Sequence, residues 1–443
     1  MSAANRQAQA GEAQIKLFEF YSNYDNNKSL NVSSSCIELN YYESILDNTI
    51  RATATFVDTG YRNSSEGSAI VEESDLNLTV GERVNLKVSD GNQFVLDLTG
   101  PKHLRIKETR DIDESTNKLT FTVDLFSKES IDNEFGDYRV GQRYDDKVSD
   151  AVERILKQTL KTEKEVDIDD TLNSVSLLPL LTKPFYLCTW LGPRSVPDVK
   201  DAKGNLAGFF FYETYDGFKF KSIDKLFQQK PKRKLIFDNI IEPTPPEGYD
   251  GKILDYYFDS TFDLKKSLVT GDLFNTKLKA VNAYESAYRE NVFDYKSQEL
   301  TDNLGGKEFP LVASDLKAQE KFTRISYKWD DPGFLVPGKD LKSQLPKSTY
   351  INYNNDEILR QSYVRYNNLF NVKLSIAIAG DMSLRAGDLL HCDFPEVTSN
   401  ATKTYSKKKS GIYMITDVCH RVTKNSCYTR LNLVRESIGR KSS

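Results

Sequence analysis

The sequence predicts a mainly β protein with α+β insertions, its β part made of two antiparallel barrels in one chain. Three observations predict it: period-two alternation of apolar residues near both ends, hairpin turn signals between the alternating runs, and an internal echo linking the two ends. The 24 Tyr and 24 Phe among 443 residues favour sheet, and a chain of this length holds more than one domain.

Near the C-terminal end, Ile412, Met414, Thr416, Val418, His420 and Val422 alternate with Tyr413, Ile415, Asp417, Cys419 and Arg421, as in a strand with one buried face. A turn over Thr423 to Ser426 leads to a return strand from Tyr428 that puts Leu431 and Leu433 on one face. Toward the other end, Ile15 to Tyr21 and Ile37 to Tyr42 read as strands, and Ile50, Ala52, Ala54 and Phe56 alternate up to the turn signal Asp58-Thr59-Gly60. Gly81-Glu82-Arg83 opens a strand with Val84, Leu86 and Val88 on one face, Asp90-Gly91 turns it, and Phe94, Leu96 and Leu98 return. Leu104 to Lys107 and Leu119 to Phe126 complete a small barrel or sandwich.

The composition changes near Ser127. Ser149 is the expected N-cap of a helix with Val152, Ile155 and Leu156 on one stripe. Pro179 and Pro184 within Leu172 to Trp190 predict a helix followed by an irregular segment. Gly192 to Gly208 reads as a loop, and Phe209 to Phe220 as a hairpin around Asp216-Gly217. Its aromatic run fits a strand buried on both faces better than a platform for stacking bases. Pro231 to Tyr249 reads as a crossing between domains, with Lys230 to Lys234 as a solvated face or subunit rim. The strand order of residues 240–350 stays open, while Asn354 to Phe370 reads as a helix anchored by Ile358, Tyr363 and Tyr366. Residues 61–75 read as an excursion, and Gly305-Gly306 and Gly333 as turns.

A net charge of −4 offers no global attraction to nucleic acid or acidic membranes. No apolar run approaches the roughly 18 to 20 residues of a membrane span, and Met1 to Gln14 lacks a signal-peptide core, so cytoplasmic synthesis is the expectation. Five cysteines without a C-x-x-C pair are expected to be reduced thiols. His391-Cys392, Cys419-His420 and Cys427 invite a metal site, but adjacent strand residues point to opposite faces. No metal or cofactor is therefore expected, and His420 reads as a core or interface residue held by a hydrogen bond. With three His and no nucleophile elbow, P-loop or HExxH motif, the expectation is no enzyme; the competing reading is a hydrolase built on carboxylates.

The echo gives these pieces an order. Gly81-Glu82-Arg83-Val84-Asn85-Leu86 matches Gly387-Asp388-Leu389-Leu390-His391-Cys392 in type. Val123-Asp124-Leu125-Phe126-Ser127-Lys128-Glu129-Ser130 parallels Leu431-Asn432-Leu433-Val434-Arg435-Glu436-Ser437 with one residue removed. The chain is thus expected to hold two copies of one barrel with residues 130–350 largely inserted. Three such chains around an axis present six similar units, so a trimer can sit on a six-fold ring.

Tyr42 to Asp47 running into Thr53 to Gly60 resembles the opening barrel of baseplate hub proteins of contractile-tailed bacteriophages. Phe211 to Thr214 with Asp216 to Asp224 is similar to that family's central hairpin, and Ser410 to Tyr413, Val418, His420 and Thr429 to Ser437 to its closing strands. The resemblance implies two tube-protein-like barrels, 15–126 and 206–240 with 351–437, an inserted region of 127–205 and 241–350, and flexible ends at 1–14 and 438–443. It further implies a homotrimeric ring of pseudo-six-fold symmetry in the virion tail baseplate. That ring would join the hexameric tail tube to a separate trimeric spike beside wedge proteins and pass the tail contents, without a membrane span or sequence-specific nucleic-acid binding. Ring-forming segments are expected at Phe56, Asp58, Phe211, Tyr212, Asp216, Phe218, Tyr413, His420, Tyr428 and Arg430. The alternatives are a baseplate hydrolase acting on the host cell wall and the hub of a non-phage contractile injection system.

Overall fold

A computed structural model describes residues 11–23, 29–58, 80–115, 118–198, 207–237, 251–261, 263, 265, 276–282, 287–293, 324–329, 355–396, 405–424 and 426–437. The expected excursion at 61–75, most of 241–350 with its glycine turns, residues 1–10 and the tail 438–443 lie outside them.

The first part of the chain holds β1 (Ala13–Tyr21), β2 (Ser29–Asn31), β3 (Cys36–Ser44), β4 (Arg51–Asp58), β5 (Arg83–Asp90), β6 (Val95–Leu98), β7 (Leu104–Ser115) and β8 (Lys118–Ser127). Period-two alternation builds them: on β4, Ala52, Ala54, Phe56 and Asp58 turn inward while their neighbours do not. The inward residues form a core in which Phe56 packs against Phe18, Phe20 and Phe121 at ring-centroid distances of 5.0 to 5.6 Å. Truncating one such ring costs about 3–5 kcal/mol.

The middle of the chain contributes α1 (Lys128–Asp132), α2 (Val148–Arg154) running into a π turn at Ile155–Thr159, β9 (Val166–Ile168), α3 (Pro184–Leu191), β10 (Phe209–Thr214), β11 (Gly217–Ser222) and α4 (Ile223–Gln228). Two local expectations are corrected here. Helix α2 starts one residue before Ser149, with Lys147 at the N-cap; the Ser149 amide instead donates to the Thr171 hydroxyl at 2.9 Å. In residues 172–190 the irregular segment comes first and the helix second, because Pro184 begins α3 rather than breaking it. A proline at the first helical turn removes only an N–H that has no intrahelical partner.

Strands β10 and β11 pair antiparallel, with Thr214 opposite Gly217 (φ +133°) closing the turn, and β9 lies parallel to β11. Among the described residues this three-stranded sheet does not pair with the strands that follow it. Every residue of β10 is buried, as a two-faced strand requires: Phe209 and Phe211 enter the core made with α2 and α3, and Phe210 and Tyr212 enter a separate cluster with Ile45, Leu389 and Met414.

The last part holds β12 (Arg233–Ile236), β13 (Ile253–Thr261), β14 (Thr276–Asn282), β15 (Ala287–Phe293), β16 (Arg324–Trp329), α5 (Asn355–Leu369), β17 (Val372–Ala379), β18 (Leu389–Asp393), β19 (Gly411–Thr423) and β20 (Cys427–Arg435). Strands β14, β15 and β16 make a small sheet of their own. In the basic run at 230–234 the three lysines are exposed, as a solvated face requires, while the backbone is held: β12 pairs in parallel with β18, and Lys232 and Arg233 each reach an aspartate, Asp388 and Asp381, at 2.8 Å.

One sheet of 14 strands joins both ends of the chain, in the order β13-β17-β20-β19-β3-β4-β8-β7-β5-β1-β2, with β18, β12 and β6 attached at its side. The fold is therefore mainly antiparallel β with an α+β insertion. The two expected barrels share this sheet, and neither closes by a strand ladder among the described residues; a single bridge from Ile236 to Lys252 brings the end strands of the second part together. Among the described residues no helix is long and apolar enough to cross a membrane.

Candidate functional site

The sheet contains the same unit twice. Numbering six strands by their order within each half, β1, β3, β4, β5, β7 and β8 lie in the order 2-3-6-5-4-1, and β12, β13, β17, β18, β19 and β20 lie in that order too. The strand directions differ only in the terminal pair, antiparallel for β1 with β5 and parallel for β12 with β18. Strands β7 and β13 each carry a further bulge that β19 and β3 lack, between Arg110 and Asp113 and between Phe258 and Ser260.

The repeat extends to individual hydrogen bonds. Gly81 donates its amide to the Ile106 carbonyl at 2.7 Å, and Gly387 to that of Ile415 at 2.8 Å. Ile106 and Ile415 donate in return to Glu82 and Asp388, at 3.0 and 2.9 Å. Both glycines hold a positive φ, +83° and +91°, which a side chain disfavours. A bulge follows at once in each unit, between Ile106 and Glu108 and between Ile415 and Asp417. Strands β3 and β13 also share a bulge, at Ile37 and at Leu254. In this register Val123 corresponds to Leu431 and Arg83 to Leu389, the pairing that the sequence echo proposes.

Where the units meet, β3 runs antiparallel to the distal half of β19, from Ser44 opposite Asp417 to Glu38 opposite Thr423. Tyr41 stacks on His420 at 6.0 Å, and the His420 Nδ1 lies 2.9 Å from the Thr429 hydroxyl. Burial, reinforced by the Arg385 guanidinium, pushes the His420 imidazole down to about 3, so it is neutral. The buried Glu43 carboxylate accepts from the Tyr41 hydroxyl at 2.9 Å, the Tyr215 amide at 2.8 Å and the Ala386 amide at 3.1 Å. Burial raises its pKa against the pull of Arg385. Glu43 thereby ties β3, the tip of the inserted hairpin and the 380–388 loop to one another. The Arg385 side chain closes the arrangement, lying over the rings of Tyr215 and Phe94 at 4.7 and 5.0 Å and 3.5 Å from Asp216.

A second buried cluster fastens the inserted region to the first unit. Lys164 Nζ sits 2.7 Å from Glu129 and 2.6 Å from Glu213, and Glu213 also accepts from the Ile50 amide at 3.1 Å. Burial opposes all three charges. Lys164 nonetheless keeps Glu129 below the usual carboxylate range, while Glu213 is raised. On the far side, Arg365 of α5 grips Asp224 with two nitrogens at 3.0 and 2.8 Å.

Of the residues expected to form the ring, Phe56, Phe211, Tyr212, Phe218, Tyr413 and His420 are buried within this chain, as is Asp58. Tyr428 and Arg430 are exposed on β20, and Asp216 is partly exposed at the hairpin tip. Among the described residues no group of three His, Cys, Asp or Glu is placed to hold a metal. Glu43, Lys164, Glu213 and Arg385 escaped sequence reasoning; the available signal was a carboxylate inside an apolar run, as in Phe-Phe-Phe-Tyr-Glu-Thr at 209–214.

No protein-family model matches the sequence, and no curated protein matches it. Solved structures do. The 43 kDa tail protein of prophage MuSo2 from Shewanella oneidensis aligns over 96% of this chain and 100% of its own, at 8% identity and a TM-score of 0.50. A tail protein from Neisseria meningitidis MC58 aligns over 96% of this chain and 97% of its own, at 8% identity and a TM-score of 0.48. The E. coli c3393 protein, a component of the type VI secretion system, aligns over 98% of this chain and 79% of its own, at 10% identity and a TM-score of 0.42. The chain has the fold of the prophage MuSo2 tail protein.

Proposed function

We propose that the chain is the structural hub of a contractile phage tail baseplate, a homotrimeric ring that adapts the hexameric tail tube to a trimeric spike and lets the tail contents pass. The observation that carries this reading is the repeated unit. One chain supplies the strand order 2-3-6-5-4-1 twice within a continuous sheet, so three chains supply six equivalent units toward a six-fold partner and three toward a three-fold one. The fold shared with the prophage MuSo2 tail protein supports a place in a phage tail.

The partners of this reading are two further copies of the chain, the tail tube protein, a trimeric spike and the baseplate wedge proteins, with assembly in the host cytoplasm. Asp216, Tyr428 and Arg430 are its candidate contact residues. The role is structural rather than catalytic: Glu43, Glu129 and Glu213 are enclosed and engaged in ties between parts of the chain, which is the use a scaffold makes of buried carboxylates.

Native mass measurement with negative-stain imaging tests the proposal. A trimer seen as a ring with six lobes is expected. A stable monomer at micromolar concentration that degrades peptidoglycan overturns it in favour of the hydrolase.

A further inference from the structure

The junction inside one chain specifies a junction between chains. Strand β19 has β20 along one edge; its other edge is shared between β18, at residues 411–414, and β3, at residues 417–423. Its counterpart β7 has β8 along one edge, and β5 covers only Leu104 and Arg105 on the other. The stretch from Glu108 to Ser115, which corresponds to the β3-binding half of β19 with one extra residue at a bulge between Arg110 and Asp113, pairs with no strand on that edge among the described residues. Likewise β13, the counterpart of β3, has β17 on one side, and among the described residues only Lys252, just before it, is bridged to Ile236 on the other. Each of the two halves of the internal junction is thus repeated elsewhere in the sheet without a strand partner among the described residues, one on β7 and one on the terminal strand β13.

We propose that β7 of one copy pairs antiparallel with β13 of a second copy, in the manner of β19 with β3, so that internal and intermolecular junctions alternate around the ring. This rests on the trimeric reading above. The repeat also gives the register. Arg421, Val422 and Thr423 face Asn40, Leu39 and Glu38. Through the shared partners on β8, β20, β4 and β17, these positions correspond to Asp113, Glu114 and Ser115, and to Tyr257, Tyr256 and Asp255. Asp113 therefore lies opposite Tyr257, and Ser115 opposite Asp255.

Two features of the free edges support a partner. Ile112 on β7 and Tyr257 on β13 are 56% and 64% exposed, apolar area that a second copy would cover. Charged residues such as Glu108 and Arg110 can keep an edge monomeric, but β19 carries Asp417 and Arg421 in its β3-binding half and is paired all the same. A head-to-tail contact of this kind joins two different edges and closes into a ring when the rotation permits.

Full-length chain carrying Asp113→Cys together with Tyr257→Cys tests the register, since opposed Cα atoms in an antiparallel pair lie within disulfide range. Mild oxidation is expected to produce reducible dimers and trimers on a denaturing gel. Asp113→Cys with Tyr288→Cys, equally exposed but off the edge, is expected to stay monomeric on the same gel. Hydrogen exchange on the unsubstituted assembly gives a second reading, with amides of 108–115 and 254–260 expected to slow by about tenfold or more relative to diluted monomer. A native trimer with neither cross-link nor protection overturns this junction and leaves the hub standing; a native monomer overturns both.

Discussion

Gly81 and Gly387 stand at the same point of two copies of one strand unit, each donating its amide to the carbonyl of an isoleucine that precedes a bulge, Ile106 or Ile415. They share a backbone conformation and differ in surroundings. A Cβ on Gly81 meets nothing within 4 Å, whereas one on Gly387 would run into the Tyr212 hydroxyl and crowd Leu226. Gly81→Ala is therefore expected to cost about 1–2 kcal/mol, the conformational term alone. Gly387→Ala is expected to cost at least about 3 kcal/mol, with steric overlap added. Denaturant melts of the two variants measure the difference, and equal losses would contradict it.

The neutral His420 makes stability depend on pH. Its folded pKa is pushed down to about 3 by burial and then by Arg385, while the unfolded chain takes up the proton near pH 6.5. The unfolded state binds more protons between these values, so stability falls as pH drops from about 6.5 toward about 3, by up to about 1.4 kcal/mol per pH unit. His420→Asn keeps a group able to reach Thr429 and cannot be protonated. It is expected to be less stable than the parent at pH 7 and to show a shallower loss between pH 6 and pH 4, read from urea midpoints.

Glu43 and Glu38 lie on the same strand, yet they are expected to behave very differently. Glu43 accepts three hydrogen bonds in a buried position, so Glu43→Ala orphans donors from three parts of the chain and should cost about 3–5 kcal/mol. Glu38 meets Arg421 at 2.9 Å in a pair that is substantially exposed, so Glu38→Ala should cost no more than about 1 kcal/mol. Thermal melts in low and high salt separate them, with a salt-sensitive loss expected only for Glu38.

Lys164 pairs with two buried carboxylates at once. Lys164→Met is expected to destabilise by about 3–5 kcal/mol, because the acids are left without a counter-charge. Adding Glu129→Gln and Glu213→Gln to that variant is expected to recover part of the loss. A triple variant no more stable than the single one would show that the cluster acts through packing rather than charge.

Much of this architecture is local and was legible for that reason. Alternation at 51–58 and 411–423 specifies strands because side chains on a strand point to alternate faces, and Asp216-Gly217 specifies a turn because Gly217 takes a φ open to glycine. The echo of Gly81 in Gly387, and of Val123 in Leu431, carried the duplication itself, since both copies need the same glycine and the same inward residues. Pro184 marks a boundary in the sequence but not its direction, because proline starts a helix as readily as it ends one. Tertiary structure alone decided that β3 binds the free half of β19, which merges the two units into one sheet: strand edges look alike in sequence, and β18 being short is what leaves that half open. It alone also brought Glu43, Tyr215, Arg385 and His420 together from four separate segments, since burial and long-range hydrogen bonds leave no periodic trace in the chain.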